Sequence, residues 1–134
     1  MLTIDAEEVY ALAPYAKTLG VVFDEITPAA VRATLVHDVS LSTVGGGLHG
    51  GALMGLADVC AAVCAALNGP PGAAPATVES TTHFLSPART SVVATASPLR
   101  TGRNTVVEVD IRDAEGELCA KVTQVVTAVT PRSS

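Results

Sequence analysis

Aromatic side chains are nearly missing from this sequence, which has no tryptophan, two tyrosines and two phenylalanines among 134 residues. Its core must therefore be assembled from Ala, Val, Leu and Ile, and small side chains let backbones approach closely. Charged residues are also scarce, at 16%, while 49% of residues are hydrophobic, a balance that excludes a disordered chain. The net charge of −5 and a pI near 5.0 leave no electrostatic footprint for general nucleic-acid binding. Of eight basic residues, six lie from Arg89 onward, which leaves open either a local anion site or dispersed surface charge. Cysteine is limited to three, an odd count with two inside one apolar run, as expected in a reducing compartment. The opening MLTIDAEEVY carries acids instead of the basic and apolar regions of a secretory signal, so a cytoplasmic location is expected. The length predicts a single domain, residues 1–134, large enough to bury a real core.

What the sequence does have is one long apolar stretch, GGGLHGGALMGLADVCAAVCAAL, from Gly45 to Leu67. It predicts a helix of about five turns that begins near Gly50–Gly51. Being apolar on nearly all sides, such a helix should be buried, which makes its single charge, Asp58, costly without partners or a task. A membrane span is disfavoured, because an aspartate in mid-span costs roughly 2.5–3.5 kcal/mol even on a lenient scale. No membrane partner is expected.

Around this stretch the remaining elements follow from local signals. Asp5 with Glu8 resembles an acidic capping box and predicts a short helix from about Ala6, ended or kinked at Pro14. Leu19–Ile26 and Val31–Val36 read as a hairpin turning at Thr27–Ala30. Asn68-Gly69-Pro70-Pro71-Gly72 stops the central helix, and the period then changes to two. Strands are predicted from Ala76 to Leu85, Val92 to Leu99, Thr105 to Arg112 and Leu118 to Val129, with turns at Thr101–Asn104 and Asp113–Gly116. The fold class is α+β. A curved antiparallel sheet of about five to six strands wrapped around one long central helix is the economical way to cover that helix.

The helix start can do chemistry. Gly50 and Gly51 should leave unpaired N–H groups at a positive helix end with no side chain in the way, although a tight turn alone would also call for glycine. Asp58 in an apolar setting is either a base or nucleophile, or a paired structural acid. Eight residues separate Gly50 from Asp58, or roughly 12 Å along one helix. Both cannot reach one carbonyl. Two antiparallel copies of the helix would bring the Gly50 amide of one chain to Asp58 of the other, giving shared sites in a homodimer. Cys60 and Cys64 lie four apart on one helix face, but no second pair completes a metal site, so no metal is expected.

Leu48-His49-Gly50-Gly51 with Leu56-Ala57-Asp58, then Phe84-Leu85-Ser86-Pro87-Ala88 and Gly102-Arg103, resemble the hotdog-fold acyl-CoA thioesterases of the phenylacetate-degradation (PaaI-like) group. The resemblance runs from Leu19 to Val129 in matching order. It implies assembly as a dimer or dimer of dimers, and hydrolysis of acyl-CoA to acid and free CoA without a cofactor. By that resemblance Asp58 is general base or nucleophile and the Gly50 amide polarises the thioester carbonyl, with His49, Gly51, Thr43 and Thr77 in support. Arg103 and Asn104 match the hairpin that contacts the CoA nucleotide, and Phe84 and Arg89 are further candidates for CoA binding. The chain departs from the family at Thr43, where Asn or Gln is common, and at Arg89-Thr90-Ser91, where glycine is frequent. A noncatalytic acyl-CoA-binding hotdog protein is the alternative that Thr43 favours. A hotdog dehydratase acting on an acyl-carrier thioester is another, though the HFPG-like histidine setting it uses is absent.

Overall fold

The computed structural model describes residues 3–130. Helix α1 spans Ala6–Leu12, with the Asp5 side chain accepting the Glu8 N–H at 2.9 Å as the cap predicts. Pro14 does not simply end this helix. It takes the first position of a second one, α2 (Pro14–Leu19), where its missing N–H would have no partner anyway. Gly20 closes α2 at φ 93°, a left-handed conformation that suits glycine, so the first strand starts at Val21 and not at Leu19.

The remaining elements are β1 (Val21–Ile26), β2 (Val31–Leu35), α3 (Gly50–Asn68), β3 (Ala74–Phe84), β4 (Val92–Arg100), β5 (Asn104–Asp113) and β6 (Leu118–Val129). All six strands are antiparallel in one sheet of order β1-β2-β4-β5-β6-β3. β3 therefore leaves its neighbour in sequence, β4, and pairs with β6 at the sheet edge.

Helix α3 lies in the sheet's concave face, packed against β2, β3, β4, β5 and β6. Alanines meet there from both sides, Ala57 and Ala61 on the helix and Ala33, Ala94, Ala96 and Ala120 on the strands, all buried. The helix is long and apolar enough to cross a membrane by length and composition, yet most of it is enclosed by its own fold. That enclosure is incomplete. Gly51, Met54 and Asp58 form an exposed stripe, which corrects the expectation of burial on every side and, in particular, of a buried Asp58.

Burial dominates the thiols. Cys60 is pushed up from an ordinary 9.0 to about 12 by desolvation, and Cys64 to about 11. Because the folded state holds these protons while the unfolded chain releases them above pH 9.0, stability should fall as pH rises from there toward 11–12. Urea unfolding across pH 8 to 11 should show this fall, and Cys60→Ala should make it shallower. Leu56 is fully buried under the sheet. Leu56→Ala should lower unfolding free energy by about 2–5 kcal/mol in the same assay.

Candidate active site

The start of α3 is organised by His49. Its ring Nδ1 accepts the Gly51 N–H at 2.8 Å, and its carbonyl accepts those of Ala52 and Leu53 at 2.9 and 3.2 Å. The two free amides expected here are thus reduced to one: Gly51 is capped, whereas the Gly50 N–H has no acceptor among the described residues. The His49 ring, assigned a supporting role from the sequence, fills it by accepting an amide hydrogen at the helix start. The backbone N–H of His49 donates to the Leu41 carbonyl at 2.7 Å, tying the helix start to the preceding loop.

Phe84 packs over Gly50. A Cβ there would sit 3.1 Å from the exposed Phe84 ring, which would have to shift by a few tenths of an ångström to admit it. Gly50, Phe84, Thr43, Leu53 and Arg89 line one open cleft of about 450 Å³. Thr43 enters it from a turn closed by the Gly46 N–H on the Thr43 carbonyl, with Gly45 at φ 89° in the third position, where such turns need positive φ. His49 and Gly51 line a separate cleft of about 380 Å³ with Tyr15 and Ser42.

Two turns along α3, the Asp58 carboxylate is held by one oxygen. Thr77 Oγ1 donates to Oδ1 at 2.8 Å and Gln124 Nε2 donates to the same atom at 2.6 Å. Gln124 Nε2 also donates to Thr77 Oγ1 at 3.1 Å, which closes a triangle. Oδ2 has no donor among the described residues. Thr77 reaches this position through a β-bulge. Ser80 opposes Gln124 and Thr77 opposes Val126, with the register shifting between Thr77 and Glu79. Counting by twos from Ser80 would put Val78 on the helix side; the extra residue turns Thr77 inward instead.

Gln124 was not singled out in the sequence, yet its signal was present. The inward face of β6 reads Ala120, Val122, Gln124, Val126, and one amide interrupts an apolar row. Its side chain is fully buried.

One chain does not gather all the expected groups. Arg89 is with Gly50, but Arg103 lies with Ala65, Ala66 and Gly69 at the opposite end of α3, and Asn104 begins β5 beside it. Arg89 and Arg103 form no ion pair among the described residues. Nor do those residues place three or more His, Cys, Asp or Glu side chains where they could hold a metal.

Residues 45–120, more than half of the chain and including Gly50, Asp58, Thr77 and Arg89, match the Thioesterase superfamily. Among solved structures, the chain is similar to a thioesterase from Haemophilus influenzae, with 25% identity over 96% of this chain and 93% of that one, at a TM-score of 0.87. A thioesterase family protein from Silicibacter pomeroyi is 27% identical over 93% and 96% of the two chains, also at 0.87. AziG of S. sahachiroi is 27% identical over 90% and 99%, at 0.82. No curated protein matches at comparable significance. With an antiparallel sheet around one long helix, a family match across that helix and thioesterases among its structural neighbours, the chain belongs to the thioesterase superfamily as a hotdog-fold thioester hydrolase.

Proposed function

We propose that this protein hydrolyses acyl-CoA thioesters, with aryl or short to medium acyl groups, in the manner of the PaaI-like group. The observation that carries this is a pair of reactive groups on one helix. The unpaired Gly50 amide opens a cleft, and two turns on Asp58 presents one free oxygen on the exposed stripe. In this mechanism the Gly50 N–H, at the positive end of α3, stabilises the charge that develops on the thioester oxygen. Asp58 Oδ2 either removes a proton from water as it adds to the carbonyl carbon, or itself adds to form an anhydride that water then opens. In the first route the proton taken up by Asp58 passes to the leaving sulfur as the C–S bond breaks; in the second the C–S bond breaks as the anhydride forms, and CoA leaves as a thiolate that takes its proton from water.

Gly50 and Asp58 are too far apart along one helix to serve one carbonyl, so the active unit is a homodimer. Two features support this. β3 runs for 11 residues at the sheet edge with nearly every residue exposed, and an uncovered edge of that length is a template for pairing with another copy. Met54, midway between Gly50 and Asp58, is 41% exposed on the open stripe, where a two-fold axis between antiparallel α3 helices would pass. The same symmetry carries Arg103 and Asn104 of one chain toward the Thr43 loop and Arg89 of the other, a basic rim suited to CoA phosphates. A dimer of dimers, a cytoplasmic location and the absence of nucleic-acid and membrane partners complete the proposal; the three free cysteines suit that compartment. Thr43 in the cleft keeps a noncatalytic acyl-CoA binder as the second reading, because its hydroxyl is shorter than the family's amide side chain.

Asp58→Asn should lower kcat on a panel of aryl and straight-chain acyl-CoAs by about 10²-fold or more. Gly50→Pro should act similarly, since proline suits the first helical position and removes the N–H, while its ring also pushes the Phe84 side chain aside. Mixing the two inactive variants in equal amounts, under subunit exchange, should restore about a quarter of wild-type activity, because half the dimers then carry one intact site. No recovery would place both groups in one chain's site, and no turnover of any thioester by the wild type would leave the binder.

A further inference from the structure

Gln124 has no reason to be where it is if β6 only builds a core. It occupies the inward face between Val122 and Val126, fully buried, with Val107 opposite it on β5 and Ser80 opposite it on β3. Only one end of its amide is used. Nε2 donates to Asp58 Oδ1 and Thr77 Oγ1, while Oε1 is buried with no partner among the described residues. A buried acceptor left unpaired is destabilising, and a methionine or leucine of similar volume would remove that defect without opening a cavity. The fold therefore carries a polar group that works against it, at the one point where the group touches the Asp58 carboxylate.

The hydrogen-bond directions show what the amide does. Having accepted from Gln124, the Thr77 hydroxyl has its single proton left to give, and gives it to Asp58 Oδ1. Both donors therefore converge on Oδ1 and none on Oδ2. A carboxylate on an exposed helix face would otherwise rotate freely and present either oxygen.

We propose that Gln124 is the positioning residue of the hydrolysis, fixing Asp58 directly and through Thr77 so that Oδ2 alone faces the reacting carbonyl or water. This rests on the assignment of Asp58 as base or nucleophile. A reacting atom misplaced by a fraction of a bond length loses much of its rate without weakening substrate binding, so the amide acts on kcat and not on KM.

The test compares wild type, Gln124→Met, Asp58→Asn and the double variant, assayed on benzoyl-CoA and octanoyl-CoA beside thermal unfolding. Gln124→Met should unfold at or above the wild-type midpoint, lose about tenfold or more in kcat and keep KM within about twofold. In the Asp58→Asn background the same substitution should change the residual rate no further, because it acts only through that carboxylate. A Gln124→Met enzyme with near wild-type kcat, beside an inactive Asp58→Asn, overturns the role of Gln124 and leaves Asp58 standing. Undiminished turnover in Asp58→Asn overturns the Asp58 assignment itself. Loss of folding in both Gln124→Met and Gln124→Leu assigns the amide to the core and overturns the proposal, as does an equal kcat loss in both backgrounds.

Discussion

Close approach between an alanine-rich helix and a single curved sheet is the constraint on which this structure depends. With Ala57, Ala61, Cys60 and Cys64 facing Ala33, Ala94, Ala96 and Ala120, the two layers meet through short side chains, and aromatic rings have no place between them. Such a core gains less from each residue than one built on large side chains, and makes up for it by burying many residues at high density. One sheet cannot close around a helix, however. Cover is complete beneath β2, β4 and β5, where inward residues are buried, and fails toward β3, whose inward Thr77, Ser80 and Phe84 stay exposed. The groups with reactive chemistry lie along that uncovered margin.

Two local departures from regularity place them there. The bulge in β3 turns Thr77 toward α3, and one polar side chain in β6 interrupts an apolar row. Both converge on Asp58, from strands that pair with each other at the sheet edge. At the other end of the open stripe, His49 uses its ring and its carbonyl on three successive amides and leaves the fourth, Gly50, without an acceptor. The helix start is thus capped selectively.

How much of this was legible in the sequence depended on whether the cause was local. The Asn68–Gly72 breakers, the Thr27–Ala30 and Asp113–Gly116 turns and the Asp5 cap each act over a few residues, and the structure has them where the signals put them. Pro14 was equally local yet ambiguous, since proline that ends one helix fits the first turn of the next. The exposure of Asp58 was hidden because an apolar helix reads as enclosed, and only the strand order reveals the side on which the sheet stops. Gly50 and Gly51 looked equivalent until a histidine ring distinguished them. Gln124 was 66 residues from its partner, and the register that joins them runs through a bulge no alternating pattern predicts.

These placements separate two free-energy problems that an enclosed active site would combine. Within the folded chain Asp58 keeps contact with solvent, so folding need not desolvate an ionised carboxylate, while the Thr77 and Gln124 donors are already aligned on it. If a second copy covers the stripe, as proposed, water is excluded only then, around an anion whose hydrogen bonds are in place. The same step would bring the other chain's Gly50 amide to the reacting carbonyl, in a setting where its dipole is less screened. A helix too apolar to carry an unpartnered charge can therefore carry this one, because the side on which the charge sits is closed last.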